Sequence, residues 1–140
     1  MNKKQKILLI AAAYSMFISL VFAVFFSIIF VFIPLSGDLQ QVYSVILRVD
    51  AVLFGFGAAL FIFSIQNHEV KQKTFIYTVV TAAFFSFSVS MMTAFVGLIS
   101  GELHPFLITP IIPVSFTLTG IFTLVVFLLE LGFATDEKKE

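Results

Sequence analysis

From Ile7 to Pro34 the chain runs 28 residues without a charged side chain. Few folds allow this. A helix needs about 20 apolar residues to cross a hydrocarbon core of roughly 30 Å, and a soluble domain has nowhere to hide so long a stretch. Thr74 to Ser100 repeats the feature, and Phe106 to Phe133 does so again with Glu130 only near its end. Ala51 to Ile65 is equally clean but short, at 15 residues. At 1.5 Å per residue it covers only about 22 Å. A span there has to begin further back, near Tyr43, and so takes in Arg48 and Asp50, one or two turns inside the membrane edge. The expected spans are 7–34, 43–66, 74–100 and 106–133, in a single membrane domain, 1–140. The fold class that follows is all-α, an integral membrane bundle of four transmembrane helices.

Composition excludes several alternatives. Sixty per cent of the residues are hydrophobic and 11% charged, where soluble domains carry about 25% charged residues. There is no Cys, which removes disulfides, thiolate catalysis and thiolate metal sites. A net charge of zero gives no general attraction to nucleic acid. The partner implied is the lipid bilayer.

The lysines give an orientation. Lys3, Lys4 and Lys6 precede the first span, Lys71 and Lys73 lie between the second and third, and Lys138 and Lys139 follow the fourth. Seven of the eight basic residues therefore fall on one side, which the positive-inside rule makes cytoplasmic. Both termini are expected in the cytoplasm and the chain in the plasma membrane. A cleaved leader is not expected, because the first apolar stretch exceeds the roughly 7–15 residues of a signal-peptide core.

A weak repeat underlies the spans. Lys4-Gln5-Lys6 returns as Lys71-Gln72-Lys73, 67 residues later. At the same offset, Ala11, Ser15, Ser19, Ala23 and Ser27 match Thr78, Ala82, Ser86, Ser90 and Ala94. One reading is two tandem helical hairpins in parallel orientation, as in some transporters. The plainer reading is that four evenly spaced spans look periodic in any case. The second and fourth spans match poorly, with Arg48, Asp50 and Gly55 falling on Ser115, Thr117 and Phe122.

Residues four apart share a helix face, and small residues let helices approach closely in lipid. Ser15, Ser19 and Ala23, then Ala51, Gly55 and Ala59, then Ala82, Ser86 and Ser90, and Thr119 with Ser115 and Thr123, are the expected packing seams. A tight bundle core accounts for them. A hydroxyl-lined path is the sharper alternative, but Ser and Thr can bond their own helix carbonyls. Thr109-Pro110 and Pro113 predict a kink near the outer end of the fourth span.

The remaining polar residues gather on the other side. Asp38, Glu102 and His104 lie in the two connections there, with Arg48 and Asp50 just beneath. Charges at such depth usually pair or face a cavity. Arg48 is expected to reach Glu102 or Asp38. Asp50 is expected to meet His104 or to lie near the kinked end of the fourth span. No spacing motif supports a metal site in this outer polar cluster, no nucleophile elbow supports hydrolysis, and neither His is placed for haem ligation. No catalytic residue, metal or cofactor is expected.

Four-span proteins of this length include small multidrug transporters, which depend on an acid deep in the first span, and fluoride channels, with Asn in the helices. Neither feature is present, and no family is indicated. An acid at mid-membrane, which a proton-coupled exporter needs, is also not expected. The functional expectation is a non-enzymatic multi-pass membrane protein, an accessory or assembly subunit of a membrane complex. The alternative is a small oligomeric channel or transporter for an ion or small solute. Either makes a homo-oligomer or other membrane subunits the protein partners, and no nucleic acid.

Overall fold

The computed structural model describes residues 1–32, 39–67, 70–100 and 110–137. These form four helices: α1 (Lys3–Phe32), α2 (Leu39–Asn67), α3 (Val70–Ser100) and α4 (Ile111–Glu137). Each is long and apolar enough to cross a membrane. Between its end turns a helix satisfies its backbone donors and acceptors within itself, which lipid demands of any spanning segment. Buried hydroxyls mostly follow the same rule. Ser64, Ser86, Thr119 and Thr123 each donate to the carbonyl four residues earlier in their own helix.

The helices alternate in direction. Tyr43 of α2 lies against Gly97 of α3, and further along α2 the rings of Phe54 and Phe61 meet Phe84 and Tyr77. That pairing runs antiparallel, as does α3 with α4, where Ser90 meets Pro113 and Ile76 and Val80 meet Phe127. Helix α3 is the hub. It packs on all three others, and α4 does likewise, with its lightest contact to α2. Among the described residues, α1 and α2 do not touch. The two halves therefore do not fold as equivalent hairpins: α3 and α4 embrace, whereas α1 and α2 stand on opposite sides of them. The 67-residue offset nevertheless appears in space, since the parallel helix pairs lie in register. Ser15 Oγ donates to the Ala82 carbonyl at 3.0 Å, and 82 − 15 = 67.

The core is layered along the bundle. Tyr43, Ile46 and Ala94 form one layer with Leu98 and Val114. Ala83, Phe87 and Leu124 form another with Leu53 and Ile121. Ile76, Val80 and Phe127 form a third with Leu60 and Phe61. Outside, α1 presents Leu9, Phe17, Leu20 and Phe25 to the surroundings. Apolar exposure on this scale suits lipid and would be a liability in water.

Two expectations are corrected. Ala51, Gly55 and Ala59, expected as an interior seam, face outward, and a Cβ at Gly55 would meet nothing within 4 Å. The buried face of α2 carries Tyr43, Asp50, Gly57 and Ser64 instead. These recur every seven residues, the period that holds one face toward a partner in left-handed packing. Among the described residues, the two prolines expected to kink the fourth span stand at the start of α4. Pro110 stands just before Ile111 and Pro113 falls in the first turn, where the missing N–H has no intrahelical partner to lose.

Ser15, Ser19, Ala82, Ser86, Ser90 and Thr119 are buried, and Ala23 is half-buried. Inserting a larger side chain into such a contact typically costs about 1–3 kcal/mol. Ser86→Leu is expected to lower the melting temperature in detergent. Phe25→Leu, on a residue 57% exposed, should leave it nearly unchanged. Equal melting temperatures for the two variants would contradict the packing at Ser86.

Candidate functional site

Between the first two core layers lies a polar one. Asp50 of α2, Ser90 of α3, and Pro113 and Thr117 of α4 meet there, all four buried. Their helices bring them to one height because Asp50 follows Ile46 by four residues, Ser90 precedes Ala94 by four, and Thr117 follows Val114 by three. Asp50 is 0% exposed. Thr117 Oγ1 donates to Asp50 Oδ1 at 2.7 Å and lies 3.0 Å from the Pro113 carbonyl. Ser90 Oγ lies 2.8 Å from that carbonyl and 2.8 Å from Thr117 Oγ1.

Each hydroxyl has a single proton, which fixes the choices. With Thr117 donating to the carboxylate, Ser90 donates either to Thr117 or to the Pro113 carbonyl. Either way Asp50 Oδ1 receives one hydrogen bond. Asp50 Oδ2 is buried and has no hydrogen-bond partner among the described residues. A carboxylate oxygen left this way loses its hydration with no replacement, a penalty of roughly 1–3 kcal/mol and more for a charged group. Its complement is a donor or a cation. Native interiors seldom tolerate such a group unless it has a task, and an ionisable side chain at membrane depth marks a functional site by default.

The depth is a further correction. Helix α2 begins at Leu39, a turn before the expected start at Tyr43. Asp50 is thus eleven residues in (50 − 39), about three turns or 16 Å along the axis. The middle of α2 (Leu39–Asn67) falls at Leu53, so Asp50 lies three residues, about 4.5 Å along the axis, from mid-helix. Of the two surroundings expected for Asp50, the start of the fourth span is the one found. His104 lies outside the described residues.

Of the rest of the expected outer cluster, only Arg48 is among the described residues. Arg48 is exposed on another face of α2. Asp38 and Glu102, its expected partners, also lie outside the described residues. No three His, Cys, Asp or Glu side chains converge among the described residues. Reading the sequence alone missed Thr117 and Pro113 as site residues and placed Ser90 only in a packing seam. The available signal was the seven-residue spacing of Tyr43, Asp50, Gly57 and Ser64, which points Asp50 inward. Comparison with protein-family models, with characterised proteins and with solved structures finds no match for this chain.

Proposed function

We propose that this chain is a non-enzymatic integral membrane protein, a small oligomeric transporter or channel for a cation or a cation-coupled solute, with Asp50 as the residue that takes the charge. The observation that carries this reading is the buried carboxylate at mid-span with one oxygen unmatched. Thr117 and Ser90 would orient it, and a proton or small cation would complete it. The test is reconstitution of the full chain into vesicles, with an imposed proton or sodium gradient followed by an internal dye. Flux above protein-free vesicles, lost in Asp50→Asn, supports the reading. Flux equal to protein-free vesicles under both gradients overturns it.

One observation favours the accessory or assembly subunit as a second reading. Ala51, Gly55 and Ala59 form an outward small-residue face on α2, the surface by which membrane helices dock closely. A second copy or another subunit would cover it, and the oligomer of the first reading would use the same face.

For location, the reading is the plasma membrane with both termini cytoplasmic, supported by seven of eight basic residues lying on one side. Single cysteines at Ser36 and Asn67 test the orientation in intact cells. An impermeant thiol reagent is expected to label Ser36→Cys and spare Asn67→Cys. The reverse pattern would invert the topology.

A further inference from the structure

At the opposite end of the bundle from Thr117, α1 and α3 start side by side. Between them opens a cleft of about 810 Å³, lined by Asn2, Lys3, Lys4, Lys73, Thr74 and Tyr77, with Ile7 and Leu8 on its apolar side. Three lysines, Lys3, Lys4 and Lys73, are among its lining residues, and no carboxylate belongs to its lining among the described residues. Like charges brought together attract an anion. The lysine stems can lie on apolar surface while their heads stay at the polar boundary.

The position selects the anion. The cleft sits where charged α1 residues give way to the long apolar stretch, Lys6 being followed by Ile7, and this is the depth of lipid headgroups on a spanning helix. Leu8 and Leu9 continue outward as exposed apolar surface, 55% and 59% exposed, on which an acyl chain can lie. The first-turn N–H groups of α1 and α3 add a favourable field for negative charge, although the lysines make the site. We propose that this cleft binds the phosphate of an anionic phospholipid, with Lys3, Lys4 and Lys73 around the headgroup and its hydrocarbon tail along Leu8. A zwitterionic lipid fits less well, because its cationic group faces the same lysines.

Mass spectrometry of the intact, detergent-solubilised full chain tests this, with phosphatidylglycerol, phosphatidylcholine or inorganic phosphate added separately. Phosphatidylglycerol is expected to stay bound when phosphatidylcholine does not, and its occupancy should fall as ionic strength rises. Lysines near a lipid surface each contribute about fivefold in affinity, so Lys73→Gln should weaken the complex about fivefold and Lys3→Gln with Lys4→Gln more. Lys6→Gln, an equal charge change outside the lining, should leave it unaltered. The salt titration uses the wild-type chain and so reads out even where a variant fails to fold. Equal retention of both lipids, indifference to salt, or an equal loss in Lys6→Gln and Lys73→Gln would overturn the proposal. Displacement of the lipid by equimolar inorganic phosphate would assign the cleft to a soluble anion and overturn the lipid reading.

Discussion

Asp50→Asn is expected to abolish flux in reconstituted vesicles while leaving the melting temperature in detergent unchanged or raised. The two halves of this expectation have one cause. Asparagine keeps the oxygen that accepts from Thr117 Oγ1 and nearly the same shape. It removes the ionisable group whose second oxygen has no partner among the described residues. A buried, half-satisfied carboxylate is a poor device for stability, and residues that weaken a fold in this way are commonly held for function. A purely structural Asp50 would behave in the opposite sense, its replacement lowering the melting temperature and sparing flux. Thr117→Val separates the roles further. It withdraws the Thr117 hydrogen bond to Asp50 and should cost about 1–3 kcal/mol. That loss should shrink in the Asp50→Asn background, where no charge is stranded. Strict additivity of the two substitutions would remove the link between these residues.

The second large effect is expected at two glycines. A Cβ on Gly97 would stand 2.6 Å from the Tyr43 ring, and one on Gly120 would stand 2.5 Å from the Phe87 ring. Both rings are buried, 1% and 0% exposed, so neither can swing aside without disturbing a core layer. Alanine is about 1 kcal/mol better than glycine within a helix, yet overpacking typically costs about 1–3 kcal/mol, and the separations here are far inside normal contact. Gly97→Ala and Gly120→Ala should each lower the melting temperature. Gly55→Ala, with open space around it, should hold or raise it. A rise at all three positions would show that α3 and α4 do not meet their neighbours as closely as described. Gly55→Leu adds a separate readout, since a bulky group on the outward face of α2 should block the proposed docking of a second copy there and leave the single bundle folded.

Much of the architecture was legible because a bilayer leaves few choices. Charge-free stretches of spanning length must be helices, and short connections force alternating directions. The inward face of α2 was less legible. Ala51, Gly55 and Ala59 share a spacing of four, which rotates by about 40° at each step and marks a face only over a short distance. Tyr43, Asp50, Gly57 and Ser64 share a spacing of seven, which drifts only about 20° per step and so holds one face along almost the whole helix. The start of α2 was misjudged for a related reason. Gln40 and Gln41 read as a connection, but polar residues at the membrane boundary are hydrated and can continue a helix, so α2 begins one turn earlier than expected. The close approaches at Gly97 and Gly120 were not legible, because nothing local distinguishes them from Gly55. Only the rings opposite them do.

The separation of α1 from α2 dictates an order of assembly. Synthesis delivers α1 first, yet among the described residues its contacts are all with α3 and α4, so α1 would wait for partners made later. Only two residues separate α2 from α3, and a pair so closely joined closes its loop at little entropic cost. On these contacts that pair is expected to form first, α4 to seal the layer containing Asp50, and α1 to dock last, where Ser15 meets the Ala82 carbonyl. A chain lacking its first helix would therefore still hold Asp50, Ser90 and Thr117 on helices that pack together without it. An early-inserted helix that joins late spends the interval as a free membrane segment, open in that time to lipid, to chaperones of membrane insertion and to other copies of the chain.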